Sequence, residues 1–426
     1  MIERRFPIIV SIVLIFVGSA CTTYTPVANG DNFVYLYGKG AAAMRLQARV
    51  YHSSDDRSVI WFKLRTRDLL YKNRGDGGPF HAQVLITYEA YPAIGNVQLL
   101  DSSSTYVRDA SDNPDEDKEL IGSMDMKRSD RRSFVIKVTA HDLNRDVKSS
   151  LFIQVEKHQH GQRQGFLPMS TRGVPLFDDH VSPGTQVHVM CEQYADASLT
   201  VEHFKPQAKL PPPVFTESSP VNISTRPDSV FTIRVDKDGW FDLVAAASGF
   251  YHVRSDTSQR AGYTLFTLKD SYPAVRVVRD MVAPLRYITS TQEWDKLTDG
   301  DEPRKEVEKF WSTAAGDRER ARQAIEAYYS RVESADRHFT SIVEGWKTDR
   351  GLVHIIFGTP NTIRKTDTGE TWIYGDESNL MSLIFNFVKR DDPFTDNDLV
   401  LQRDPMFKSA WYRNVESWRN GRIFQN

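Results

Sequence analysis

The run "FHAQVLITYEAY", residues 80–91, places Ala82, Val84, Ile86 and Tyr88 on one face and His81, Gln83, Thr87 and Glu89 on the other. Side chains of a strand alternate between faces, so this pattern demands a half-buried strand with a second layer over its apolar side. The same period recurs in "SVIWFKLRT", "SFVIKVTA" and "SLFIQVEKH". Short strands separated by polar turns predict an antiparallel, immunoglobulin-like β-sandwich over residues 31–175. Inside it, "RDASDNPDEDKELIGSMDMKRSDRR" is acidic at first, basic at the end and poor in apolar residues, and is expected to be a mobile excursion. Asp109, Asp112, Asp115 and Asp117 offer oxygens to calcium there, but the glycine and terminal glutamate of an EF-hand loop are missing, which favours a solvated loop.

A second β-sandwich is expected over residues 176–283. "SVFTIRVDKDGWFDLVAAA" reads as a hairpin, with Phe231, Ile233 and Val235 alternating against Thr232, Arg234 and Asp236, and Asp238-Gly239 at the turn. "KLPPPVF" holds three prolines that cannot donate to a ladder, which makes it a loop or an exposed edge. Cys191 reads as a half-buried strand residue.

Beyond "PLRYIT" the period becomes helical. Ser290 and Glu293 have capping-box spacing, and Pro303 stands at a helix start, where its missing donor costs nothing. Ile325, Tyr328, Tyr329, Val332, Ala335, Phe339, Ile342 and Val343 then recur at spacings of three and four, with Arg331, Glu333, Asp336 and Arg337 turned mostly elsewhere. This predicts one long helix that stops at Gly345. "LVHIIFG", "TWIYG", "SLIFNFVKR" and "LVLQR" are strand candidates, and "FKSAWYRNVESWRNGRIF" predicts a closing helix that buries Trp411, Val415 and Trp418. Residues 284–426 therefore read as an α+β domain, with helices packed on an antiparallel sheet.

At the other end, Arg4 and Arg5 precede an apolar run from Phe6 to Val17, then small residues and Cys21. This is a signal peptide over residues 1–20, and small residues directly before a cysteine mark a bacterial lipoprotein signal, with Cys21 acylated and residues 21–30 as linker. Two or three acyl chains hold a protein on its membrane, where one holds only reversibly. No acid follows Cys21, which favours the periplasmic face of the outer membrane. With 54 Lys and Arg against 56 Asp and Glu, there is no global basic field and nucleic acid is not an expected partner.

The sequence holds no Gly-x-Ser-x-Gly elbow, no His-Glu-x-x-His helix and no phosphate loop. His158 and His160 would share a strand face but lack partners at metal-ligand spacing, and His354 reads as a strand residue at a rim. The expectation is no cofactor, no metal and no catalytic residue.

"GWKTDRGLVHIIFGTP" and "ETWIYG", between "ADRHF" and "VESWRNGRIF", resemble the carboxy-terminal domain of the GWxTD family of bacterial envelope proteins. Gly345, Trp346, Thr348 and Asp349 are the naming positions. The resemblance implies β-sandwich domains upstream and brings no established activity. A second likeness, to the small SmpA/OmlA outer-membrane assembly lipoproteins, rests on the order helix, strand, turn, strand, with Gly358, Pro360, Trp372 and Tyr374 in the comparable places. Read as structure, Gly345 supplies positive φ, Trp346 buries a ring worth about 2 to 3 kcal/mol, and Thr348 and Asp349 accept N–H groups of the next turn. The motif is then a folded corner. Trp372, Trp411 and Trp418 are core residues or partner anchors. The function expected is a non-enzymatic scaffold subunit of an envelope complex, for barrel assembly or secretion. The alternative is an enzyme or carbohydrate-binding protein with its site in an interdomain cleft.

Overall fold

Strands β1 (Gln47–His52), β2 (Ser58–Arg65), β3 (Phe80–Tyr91), β4 (Asp101–Ser111), β5 (Glu119–Met126), β6 (Phe134–Asp142) and β7 (Val147–Val155) follow one another along the chain. They sort into two antiparallel sheets, β1-β2-β5 and β4-β3-β6-β7. The alternation sets the faces: Ile60, Phe62 and Leu64 of β2 and Val84, Ile86 and Tyr88 of β3 enter one shared core with Ile136 and Val138 of β6. The computed structural model describes residues 32–37, 44–73, 75, 77–126, 132–157, 163–206, 209–217, 226–299 and 302–422. The leader, Cys21, His158 and His160 lie outside the described residues.

The excursion is corrected in part: its first residues, to Ser111, lie in β4, and Glu119–Met126 form β5, pairing with β2 from Arg65↔Glu119 to Ser58↔Met126, while the acidic residues 112–118 lie between the two strands. Every second residue of β4 faces solvent, so charge on that phase is compatible with pairing. Asp109 accepts from the Tyr71 hydroxyl at 2.6 Å.

The second β region comprises β8 (Leu167–Met169), β9 (His180–Val181), β10 (Thr185–Met190), β11 (Ser198–Phe204), β12 (Ser229–Arg234), β13 (Trp240–Ala245), β14 (Gly249–Arg254) and β15 (Tyr263–Thr267). Its sheets are β13-β10-β8 and β12-β11-β14-β15-β9, antiparallel except for the parallel pair β15 and β9. The hairpin expected at Asp238-Gly239 does not form. Gly239 does take φ 83° there, but β12 pairs with β11 and β13 with β10, so the turn carries the chain between two sheets. Val235, buried at that crossing, belongs to the core between them. Cys191 is fully buried just past β10 rather than half-buried within a strand.

At the seam between the two β regions, Phe166 is in the second core and β8 is bonded to β10. Across this seam Asp179 binds Arg49 at 2.6 Å and Arg163 at 2.5 Å. Burial opposes its charge, yet the two guanidiniums hold its carboxyl at about 2.

The carboxy-terminal region holds α1 (Val278–Val282), α2 (Thr291–Asp299), α3 (Pro303–Ala315), α4 (Arg318–Phe339), α5 (Asp349–Phe357), strands β16 (Thr362–Thr366), β17 (Gly369–Tyr374), β18 (Leu383–Lys389) and β19 (Leu399–Leu401), and α6 (Lys408–Arg419). The strands form one antiparallel sheet in sequence order. Ser290 and Glu293 make the capping box before α2, and Pro303 opens α3. Ahead of α1, Tyr272 Oη donates to Asp336 O and Val275 N to Glu333.

Two corrections concern the motif's surroundings. The long helix ends at Phe339, six residues before Gly345, and "LVHIIF" is helix α5, not a strand. An apolar run carries no period of its own; the cap decides, and Thr348 accepts from Gly351 N at the start of α5. Every residue of α5 is buried, Asp349, Arg350 and His354 included, so its two charged side chains must find partners inside the protein.

Residues 32–37 are hydrogen-bonded to this region. Phe33 N donates to Ile363 O at 2.8 Å, Ile363 N to Asn32 Oδ1 at 3.1 Å, and Tyr37 Oη to Glu370 Oε1 at 2.8 Å. The Phe33 ring enters the core of the helices and meets Phe152 of β7 edge-on at 5.4 Å. Phe33→Ala is expected to cost about 3 to 4 kcal/mol, as other buried Phe truncations do. Urea unfolding of wild type and variant checks this; an unchanged midpoint would mean that the segment is not docked in solution.

Candidate functional site

Gly345 opens a single 3-10 turn, Gly345–Lys347, and its φ is not in the left-handed region, so positive φ is not why glycine stands there. Close approach is: a Cβ on Gly345 would lie 2.0 Å from Ala335 O of α4. Gly351 repeats the device, since its Cβ would lie 2.0 Å from Gly345 O. Thr348 Oγ1 closes the nest, donating to Gly345 O at 2.7 Å and accepting from Gly351 N at 3.0 Å. Trp346 is buried, its ring 5.9 Å from that of Tyr287, whose hydroxyl donates to Trp346 O at 2.9 Å.

Asp349 does not serve the following turn. Its carboxylate accepts from Leu401 N of β19 at 2.8 Å and pairs with Arg403, which also donates to Pro212 O at 3.0 Å. The motif thus joins helix α5, the last strand and the proline-rich loop of the second β region. Its neighbour Arg350 is fully buried, with Nη1 3.2 Å from Glu370 Oε1, Nη2 2.8 Å from Asn397 O, and its guanidinium 5.0 Å above the Phe339 ring. Asn397 donates in turn to His338 O and Thr340 O, satisfying carbonyls at the end of α4.

Two buried carboxyls behave oppositely. Burial works against the charge of Glu370, but Arg350 and Lys365, with donors from Trp372 and Tyr37, hold it at about 2. Asp336 of α4 receives one backbone N–H, from Trp346 at 3.0 Å, and its Oδ2 is buried without a hydrogen-bond partner. Burial pushes Asp336 up to about 8. The helical period had set Asp336 on an outer face; its exposure is 1%.

The remaining sequence candidates are all buried. Gly358, at φ 85°, accepts from Tyr374 Oη at 2.7 Å, and a Cβ there would meet Arg331 at 2.9 Å. Pro360 is buried, Trp372 donates to Glu370, and Trp411 and Trp418 lie in the core, with Trp418 5.1 Å from the Tyr328 ring. Because α5 is a helix, the strand that the SmpA/OmlA likeness places directly before the Gly358–Pro360 turn is not present. His354 is a buried helix residue against Phe339, not a rim residue of a strand. Among the described residues no group of three or more His, Cys, Asp or Glu is placed to hold a metal ion.

Beside the corner lies a shallow, solvent-open hollow, lined in part by Pro211, Pro212, Lys347, Asp349, Arg390 and Arg403. Asp349 borders it with its oxygens already engaged. Sequence reasoning missed Arg350, Glu370, Asp336 and Arg403. Only Glu370 had a signal: it shares the inward phase of Trp372 and Tyr374 in "ETWIY", and an acid on that phase must find buried cations.

Gly345→Ala should destabilise by about 3 kcal/mol or more, because backbone cannot yield as a side-chain tip does. Gly316→Ala, left-handed but with open space, should cost only about 1 kcal/mol. Urea midpoints rank the two; equal losses would mean that the approach at Gly345 relaxes freely. Asp336 also predicts a pH dependence. A folded pKa near 8 against 3.8 unfolded gives stability that is fully present below about 4 and lost as pH rises towards 8, at up to about 1.4 kcal/mol per pH unit. Asp336→Asn keeps the acceptor for Trp346 N and should abolish that slope, read as the difference in urea midpoints between pH 5 and pH 8.

No curated relative matches the chain in sequence. Among solved structures, the major pilin subunit of Bacillus cereus, BcpA, is similar over 53% of this chain at 10% identity and a TM-score of 0.14, too low to carry an argument. The chain spans 64% of that pilin's length. Residues 249–420 match the family model described as the GWxTD domain. The match begins at β14, upstream of the expected 284, where Phe250 and Phe266 pack against Ile342 and Phe394 of the carboxy-terminal region. Over this segment, corner included, the chain carries a GWxTD domain.

Proposed function

We propose that this protein is a lipid-anchored scaffold subunit on the periplasmic face of the outer membrane, with its two β regions serving as immunoglobulin-like sandwiches that present surfaces to an envelope partner. The observation that carries this reading is the commitment of Asp349. The one acid of the motif is engaged by Leu401 N and by Arg403, and Arg403 reaches across to Pro212. A carboxylate so bound works as a joint between regions, not as a general base or nucleophile, which needs a reacting proton or carbon within reach. Residues 31–426 form one compact unit, which suits a part that holds partners at a set geometry. The anchor is supported by the sequence alone, through the small residues before Cys21.

The test uses the full chain in its own membrane. The membrane is solubilised gently, and an affinity-tagged copy is purified and weighed intact. The expected result is an acylated Cys21 and co-purification of an envelope protein at constant stoichiometry, kept in Asp349→Asn under conditions where that variant stays folded. Recovery only as a monomer, with turnover of a defined substrate that Asp349→Asn abolishes, would overturn the proposal in favour of a site in the hollow beside Pro212.

A further inference from the structure

Asn32 Nδ2 donates to Asn361 O at 3.1 Å, and Asn361 Oδ1 accepts from Gly375 N at 2.7 Å. The chain therefore leaves the described fold beside the loop that follows Gly375. That loop, residues 376–382, is braced from within: Asp376 Oδ1 accepts from Ser378 N at 2.9 Å, Asn379 Oδ1 from Met381 N at 2.9 Å, and Asp376 O from Ser382 Oγ at 2.6 Å. Glu377 is tied to Arg364 of β16 at 2.7 Å. On this braced loop Leu380 and Met381 are 101% and 86% exposed. Ile384 and Val388 of the adjoining β18 are also exposed. Adjacent large aliphatics held out by a hydrogen-bonded loop mark an interaction surface.

We infer that this loop contacts the lipid bilayer, with Leu380 and Met381 entering the boundary between headgroups and acyl chains. The inference rests on the proposed acylation of Cys21. Ten residues, 22–31, separate Cys21 from Asn32, and an extended chain spans at most about 3.6 Å per residue, which keeps Asn32 within about 40 Å of the anchor. The tether emerges beside the loop, so the bilayer is the apolar phase always within reach. A short tether raises the effective concentration of that phase to a level at which two inserted side chains suffice. Charge sets the lipid class: Asp376 and Glu377 flank the tip and only Glu377 is paired with a cation, so the contact is apolar insertion into a neutral surface, not attraction to an anionic one.

Cys191 is fully buried, so Leu380→Cys offers a single reactive thiol on the acylated protein. A nitrobenzoxadiazole dye is attached there, and on a control Val97→Cys at the exposed β3–β4 turn, and each protein is reconstituted into phosphatidylcholine vesicles. Iodide quenching at position 380 is expected to fall about threefold or more relative to position 97, as for a group several ångströms inside the interface. Vesicles with brominated acyl chains should quench the dye at 380 and not at 97. Equal iodide quenching at both positions in floating vesicles overturns the lipid contact while leaving the anchor intact. Shielding from iodide without quenching by brominated lipid means that protein covers the loop, and overturns it as well. Failure of the protein to float removes the anchor and this inference together.

Discussion

Backbone against backbone at Gly345 is the constraint from which the rest of the carboxy-terminal region follows. Ala335 O of α4 occupies the space a Cβ would need, and Gly345 O occupies the same space at Gly351. With these two contacts made, α5 can leave the corner in only one direction. Thr348 then caps it, and the first two residues of its first turn are aimed oppositely: Asp349 at Leu401 and Arg403, Arg350 at Glu370 and Asn397. A bulkier residue at either glycine would shift the helix start and with it both charged side chains. The motif acts through where it sends its neighbours.

The electrostatics show what burial alone does not decide. Glu370 and Asp336 are both almost wholly removed from water, yet one is held at about 2 and the other pushed up to about 8. The difference is the partner set, two cations and two neutral donors against one amide hydrogen. Breaking a buried pair is costly even where forming it gained little, so the Arg350–Glu370 bridge is better understood as fixing the rotation of α5 than as a source of net stability.

Much of the fold was legible in local pattern. The alternation in "FHAQVLITYEAY" gave β3 its faces, Ser290 with Glu293 marked the start of α2, and the Tyr328, Val332, Ala335 and Phe339 spacing gave α4 its buried stripe. What failed needed non-local information. "LVHIIF" has no polar face to report a period, so helix and strand look alike until the cap is known. Asp238-Gly239 announces a turn but not which sheets lie on either side of it, and the chain there changes sheet. At the site, the four naming residues were visible, whereas Arg403, 54 residues from Asp349 in sequence, carries no local mark of its role.

The docking of residues 32–37 follows from the same buried network. β16 is an edge strand, and an uncovered edge invites pairing with other chains. Ile363 uses its N–H and its carbonyl on Asn32 and Phe33, which caps that edge from within the same molecule. Tyr37 then donates to Glu370, the carboxylate that also orients Arg350 and receives the Trp372 indole. One buried acid therefore joins the entry of the chain, the sheet and the helix that begins at the motif. A disturbance at the corner reaches the amino-terminal segment through two hydrogen-bonded steps, and the edge of the sheet is only as well protected as that carboxylate is well held.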